Sequence, residues 1–425
     1  MPVSVRDLSD LELRALAFVD ARELVRDLVA LVAVPSVSGS AAESEVQHQL
    51  AKQLGTMDVG LDLWQLDLDA LLADPEFPGW EADRTEAWGL VASSPGEGEP
   101  ALVLQGHVDV VPPGDPARWT GEPFLPRVDA RRVHGRGTVD MKGGVVANIA
   151  ALRAVQEAGI SLRRPVALHL VVGEEDGGLG AFATLRRGHR GAACVISEPT
   201  SGAIVTANAG ALTFAVTVPG RATHASTAYA GVSAFEAFLP VHRGLAELQA
   251  RRNARVDPLV ADLPVAYPLS VGKLTCGDWA SSVPDLLVAE GRIGVAIDED
   301  PADARGALEE AVAAAAAADP WLRDHPPVVT WPGGQFASGR YADDPTGLLD
   351  TVAAAHADVV QGARPRERGA PYGSDLRLYA GAGIPTLHYG PGEVSLAHGP
   401  DESVAVDELV TVTEALVLTI LRACC

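Results

Sequence analysis

Lysine is nearly missing from this chain. Only Lys52, Lys142 and Lys273 occur among 425 residues, and the 33 basic residues face 56 acidic ones for a net charge of −23. A summed field of that sign repels nucleic acid and anionic membrane, which argues against either as a partner. A small anionic substrate would need locally placed positive charge. Cysteine is scarce too: Cys194, Cys276, Cys424 and Cys425 show no CxxC or other ligand spacing. That speaks against a disulfide framework and for a reducing, cytoplasmic setting. The N-terminal "MPVSVRDLSDLELRALAFVD" is acidic and interrupted, so no signal peptide is expected. The most apolar stretch, "LVTVTEALVLTILRACC", is too short to span a bilayer and reads as a buried helix led by Asp407 and Glu408. A phosphate loop is also lacking. The glycine-rich "GRGTVDMKGG" does not have GxxxxGK[ST] spacing, which counts against nucleotide binding.

What is present is a chain long enough for two domains, with 47% hydrophobic residues. Helical spacing runs through 10–34, 40–57 and 143–158. Between them, 66–100 reads as a long loop with one short strand, "AWGLVAS". Apolar strands are expected at 101–105, 166–172 and 193–197. Alternating strands and helices predict an α/β fold with a mixed, mostly parallel sheet flanked by helices. The pattern changes near 209. "ALTFAVTVPG" alternates at period two, then come a helix at 232–253, strands near 268–275 and 286–297, a helix at 302–318 and the strand "PVVTWPG". That βαββαβ order predicts an α+β, ferredoxin-like module over 209–337, inserted between a first part of the α/β domain at 1–208 and a second at 338–425.

Acids and histidines gather just past the apolar strands. His107 and Asp109 follow "ALVLQ", Glu174 and Glu175 follow "VALHLVVG", and Glu198 follows "CVIS". Asp140 follows "VHGRGTV", and His398 lies past "PTLHYG". A parallel sheet brings the carboxyl ends of its strands to one edge, so these side chains would meet there. Imidazole together with carboxylate suits Zn²⁺, with Co²⁺ or Mn²⁺ as substitutes. His107 and Asp109 are two apart, so an extended chain points both the same way.

Seven motifs carry a resemblance. They are "GHVDVVP" (106–112), "GRGTVDMKGG" (135–144), "GEED" (173–176), "SEPT" (197–200), "GRATHAS" (220–226), "GSDLR" (373–377) and "GPG…AHGPDE" (390–402). In order and spacing the chain resembles the M20 family of metallopeptidases and amidohydrolases, which includes acetylornithine deacetylase, succinyl-diaminopimelate desuccinylase and di- and carboxypeptidases. The resemblance implies two metal ions, one held by His107, Asp140 and Glu198 and one by His398, Asp140 and Glu175, with Asp140 bridging. It implies that Asp109 orients His107 and that Glu174 is the general base. It also implies a cis peptide bond after Asp140, and a lid whose His224 stabilises the oxyanion from a partner subunit, hence a homodimer. Arg377, Ser282, Arg292 and Gly390 are the implied substrate contacts.

Two stretches depart from the pattern. Relatives carry Asn-Val-Ile-Pro where this chain has "SSVPD" with Ser282, and Asp-x-Arg where it has Arg292 and Gly294. The segments "DPEFPGW" and "WASSVPD" are similar to a longer-chain subgroup that includes a formylaminopyrimidine deformylase. The expected activity is hydrolysis of the amide of a small N-acyl amine, with metallopeptidase action as the alternative.

Overall fold

Four strands that are buried along their whole length, Val166–Val171, Leu102–His107, Cys194–Ile196 and Thr386–His388, lie side by side and parallel in that order. Their near-continuous apolar runs are what a sheet covered on both faces requires. Antiparallel Trp88–Ser93 and then Gly60–Gln65 extend the sheet on the Val166–Val171 side. Ile204–Asn208 joins antiparallel on the other side, and Gly339–Arg340 and Glu367–Ala370 pair with it. The result is a mixed nine-stranded sheet with a parallel centre. Helix Lys142–Glu157 packs against both the Leu102–His107 strand and the last helix, Val406–Cys424, whose apolar side chains are buried. These coordinates are a computed structural model that describes residues 8–341 and 344–425. Residues 1–7 of the N-terminal stretch lie outside the described residues. Among the described residues no helix is long and apolar enough to cross a membrane.

By contact density the chain forms two units, Met1–Thr206 with Arg340–Arg368 and Leu378–Cys425, and Ala207–Gly339 with Gly369–Arg377. The second unit has its own antiparallel sheet, in the order Leu269–Cys276, Leu286–Val295, Gly210–Pro219, Val328–Thr330. Along Gly210–Pro219 the residues Leu212, Phe214, Val216 and Val218 are fully buried, which is the period of two seen in the sequence. Helices Ala234–Arg252 and Pro301–Ala318 turn Phe238, Val241, Leu245, Leu308 and Val312 into the same core. In chain order this is strand, helix, strand, strand, helix, strand.

Several local expectations need correction. The helix expected over 10–34 is two helices, Asp10–Leu16 and Ala21–Val32. Asp20 starts the second by accepting the Arg22 amide at 2.7 Å, a side-chain cap that competes with helix continuation. The stretch read as loop over 66–100 begins with a six-residue helix, Leu68–Ala73, capped by Asp67. Strand Gly60–Gln65 and helix Leu179–Arg186 were also not expected. All three are too short, or too evenly half-buried, for their period to show.

Candidate metal centre

The parallel strands of the first unit end in polar residues at one rim. His107 closes Leu102–His107, and Glu174 and Glu175 follow Val166–Val171. Glu198 follows Cys194–Ile196, and His398 lies beyond Thr386–His388. Asp140 arrives from a separate loop. The bond from Asp140 to Met141 is cis, as the resemblance implied, and the buried helix starts at once with Lys142. The Lys142 ammonium caps the carbonyls of Leu31 and Val34 at 3.1 and 2.9 Å, and burial pushes it down to about 7.

Asp140 lies between the two imidazoles. Its Oδ1 is 3.1 Å from Nε2 of His107 and its Oδ2 is 3.3 Å from Nε2 of His398. Glu175 Oε2 is 3.2 Å from the same His398 nitrogen, and Glu198 Oε1 is 3.8 Å from Nε2 of His107. Donor atoms of His107, Glu174 and Glu198 fall within 4.8 Å of one another, as do those of His107, Asp140 and Glu175. Glu174 therefore borders the same cluster.

The far nitrogen of His107, Nδ1, is 3.0 Å from the carbonyl of Asp109 and 3.5 Å from its carboxylate. A carbonyl only accepts, so Nδ1 carries a proton and Nε2 is the nitrogen left for a cation. The Asp109 carboxylate has further work. It accepts the amides of Glu174 and Glu175 at 3.2 Å each and the Ser38 hydroxyl at 2.8 Å. One buried residue thus orients the histidine through its main chain and holds the two-glutamate turn through its side chain.

Charge is unbalanced here. Burial disfavours every ionised group, yet Asp109 and Asp140 together raise His107 well above the ordinary imidazole range. Against the same burial, hydrogen bonds to Asp140 and Glu175 push His398 up to about 11. Asp140, also opposed by burial, is held well below the carboxylate range by both imidazoles, while burial and then Asp140 raise Glu175. Five carboxylates (Asp109, Asp140, Glu174, Glu175 and Glu198) converge on two imidazoles. That excess of negative charge over hard and borderline donor atoms fits divalent cations.

Some supporting residues were not singled out from the sequence. The buried Arg136 meets Glu402 at 2.6 Å and the carbonyl of His398 at 3.1 Å. Glu402 also accepts the amides of Val139 and Asp140, at 2.8 and 3.2 Å. This one ion pair ties the Asp140 loop to the His398 loop. Both residues lie inside quoted motifs, so the signal was present, but a buried ion pair looks like a solvated one in sequence. Gly390, expected at the substrate, is closely packed on the backbone that leads to Glu198. A Cβ there would lie 2.3 Å from the Ser197 carbonyl and 2.4 Å from that of Glu198, and its amide donates to Thr200 Oγ1 at 3.1 Å.

The remaining expected residues lie in the second unit. His224 is exposed, and its Nδ1 accepts the Ser226 amide at 3.2 Å, so Nε2 is its protonated nitrogen. Ser282 pairs with His224 in an isolated antiparallel bridge. Arg377 and Arg292 both stack on Phe336, with guanidinium carbons 4.2 and 5.8 Å from the ring centre. Gly294 is tightly packed: a Cβ there would meet the Tyr267 backbone at 3.0 Å.

Comparison with known proteins gives the chain a family and a fold. A family model for peptidase family M20/M25/M40 matches residues 103–422. The chain is 26% identical to the N-formyl-4-amino-5-aminomethyl-2-methylpyrimidine deformylase of Halalkalibacterium halodurans, covering 96% of each chain. It is 28% identical to the acetylornithine deacetylase of Salmonella arizonae, over 88% of this chain and 90% of that one. Among solved structures it is similar in fold to the dipeptidase Dug1p of Saccharomyces cerevisiae, with a TM-score of 0.77, 13% identity, and 97% and 98% of the two chains covered. An M20 family metallo-carboxypeptidase of Sulfolobus solfataricus gives a TM-score of 0.73 at 15% identity, over 94% and 99% of the chains.

Proposed function

The chain belongs to the M20/M25/M40 peptidase family and is a hydrolase of C–N bonds; from that premise we propose that it is a dinuclear metal-dependent amidohydrolase that removes a formyl, acetyl or succinyl group from a small amine. The observation that carries this reading is the Asp140 carboxylate, which offers one oxygen to each imidazole while Glu174 borders the cluster. His107, Asp140 and Glu198 would hold one cation, and His398, Asp140 and Glu175 the other, with Zn²⁺ the expected metal. When bound, such a pair supplies Lewis-acid polarisation and a lowered pKa for water. Glu174 takes a proton from the attacking water as its oxygen adds to the acyl carbon. It returns the proton to the nitrogen as the C–N bond breaks, leaving a carboxylic acid and an amine. Asp109 keeps both glutamates in place through their amides.

In the second unit, His224 presents Nε2–H and is assigned to the oxyanion, acting from a second copy of the chain. Arg377 and Arg292, gathered on one ring, are assigned to a carboxylate on the substrate. A homodimer through this unit is supported by its open edge strand, Leu269–Cys276. Phe235, Leu239 and Leu274, each at least 40% exposed, line a groove of about 310 Å³ beside that strand. A cytoplasmic location is supported by the four cysteines, all free.

A di- or tripeptidase or carboxypeptidase reading is favoured by the same two arginines, since peptides carry a carboxylate end. The deciding experiment is a panel of N-formyl, N-acetyl, N-succinyl and dipeptide substrates with Zn²⁺ or Co²⁺. Turnover confined to the acyl amines supports the amidohydrolase, and turnover confined to the peptides replaces it with the peptidase. No turnover with metal bound overturns both.

A further inference from the structure

The segment "DPEFPGWEADRTE", residues 74–86, lies outside the matched family region. It is nevertheless wired into the turn that carries Glu174 and Glu175. Phe77 anchors it, packing on Trp80 and on Phe182 with ring centres 5.5 and 5.7 Å apart. From there Arg84 reaches inward with its side chain only 1% exposed. Its guanidinium meets Asp176 at 3.2 Å and Glu43 at 3.5 Å. Asp176 also accepts the Ala82 amide at 3.0 Å. Glu43 accepts the Gly173 amide at 3.1 Å and the Gly39 amide at 2.6 Å.

Taken with Asp109, these contacts account for the turn residue by residue. The Gly173 amide goes to Glu43, the Glu174 and Glu175 amides go to Asp109, and the Asp176 side chain goes to Arg84 and Ala82. Glu43 and Asp109 hold three of the four residues by their amides, and Arg84 bridges Glu43 to the fourth, Asp176. Gly173, at φ +64°, lets the guanidinium close on the backbone, since a Cβ there would lie 3.3 Å from both terminal nitrogens. Removing Arg84 would take the shared donor from Glu43 and Asp176 in a buried site, and the turn would have to open to let water in.

We propose that Arg84 is a positioning residue that, by bridging Glu43 and Asp176, fixes the turn bearing the general base Glu174 and the metal ligand Glu175, so that residues 74–86 are part of the active-site scaffold. The roles given to Glu174 and Glu175 are those of the proposed function; the bridging contacts stand without them.

The test compares the full-length wild type with Arg84→Met and Arg84→Lys. In metal-free protein, amide exchange at 173–176 should quicken in Arg84→Met while the Leu102–His107 strand keeps its protection. Zinc affinity, read by chelator competition, should fall ~10-fold or more. On the best panel substrate, kcat should fall ~10- to 100-fold with KM within ~3-fold, and Arg84→Lys should recover part of each loss. If Arg84→Met does not fold, Asp176→Asn removes the same bridge and is read in the same way. A folded variant with wild-type exchange at 173–176 and unchanged zinc affinity overturns the proposal. If the wild type turns over no substrate, the function fails, while exchange and zinc affinity still decide the role of Arg84.

Discussion

The polar groups of the two units are held in opposite ways. In the first unit His107, Glu198 and Asp140 stand at strand ends or beside a buried helix, with side chains 1, 5 and 15% exposed, while His398, on a loop, is 53% exposed. They are fixed by partners far away in sequence, such as Glu402 on the Asp140 amide. In the second unit His224 is exposed, next to a short 3₁₀ turn, and its ring is held by Ser226, two residues on. A cation pair demands donor atoms fixed to a fraction of an ångström before it arrives, which a frame of strand ends and long-range hydrogen bonds provides. A group that meets the substrate after binding needs reach and solvent access instead. Charge divides in the same way, with carboxylates in excess at the rim of the first unit and two guanidiniums on one ring in the second.

The sharpest way to break this comparison is in the first unit. Asp140→Asn takes the shared carboxylate from between two imidazoles, a loss worth about 3–5 kcal/mol for a buried charge partner. Zinc affinity should drop ~10²-fold or more, and turnover should fall to background. Glu174→Gln separates chemistry from binding. It should keep its zinc content by metal analysis while kcat falls ~10²- to 10⁴-fold. An active Gln variant would show that Glu174 is only a neighbour of the ligands.

The second unit should give smaller and different losses. His224→Ala removes one donor and should lower kcat ~10²-fold without changing zinc stoichiometry. Mixing it with an inactive Glu174→Gln chain should restore up to a quarter of wild-type activity if the histidine serves the other copy's site, and restore nothing if it serves its own. Arg377→Met should raise KM ~10-fold or more for a substrate bearing a carboxylate, because a charge-assisted hydrogen bond is worth about 1.5–3 kcal/mol. It should leave an uncharged analogue unaffected. Equal effects on both substrates would move Arg377 out of the binding role and into the packing around Phe336.

How much of this could be read in advance depended on range. Period-two runs such as "ALTFAVTV" announce their buried face directly, because Leu212, Phe214, Val216 and Val218 all point to one core. His107 and Asp109 were legible as a pair for the same reason. Asp140 and His398 needed the motifs, since nothing local says that two loops 258 residues apart meet across a carboxylate. Arg136, Glu402 and Asp176 lie inside the motifs, but their pairing was not legible, and Arg84 and Glu43 carried no signal. An arginine in a glycine-rich or acidic loop has the same sequence whether it is solvated or buried against an acid. At Gly390 the motif marks the position, and the fold adds a demand that the sequence does not show, closeness to the Glu198 backbone.

The last prediction concerns stability, and the histidines buried inside the sheet. His169 and His388 are fully buried in the sheet of the first unit, and burial pushes both down to about 3 from the ordinary 6.5. His169 Nδ1 lies 2.9 Å from the Tyr379 hydroxyl, so the neutral ring is already placed. Between pH 6.5 and 3 the unfolded chain binds protons that these two native rings refuse. Stability is therefore intact above 6.5 and drains as pH falls, by about 2 kcal/mol per histidine at pH 5. Denaturant unfolding of metal-free protein at pH 7.5 and 5.0 reads this directly. His169→Gln should cost stability at both pH values but reduce the difference between them by about one histidine's share. If the difference is unchanged, His169 takes up a proton without unfolding. The contrast would then lie between sites that can admit water and sites that cannot, and not between metal-facing and core imidazoles.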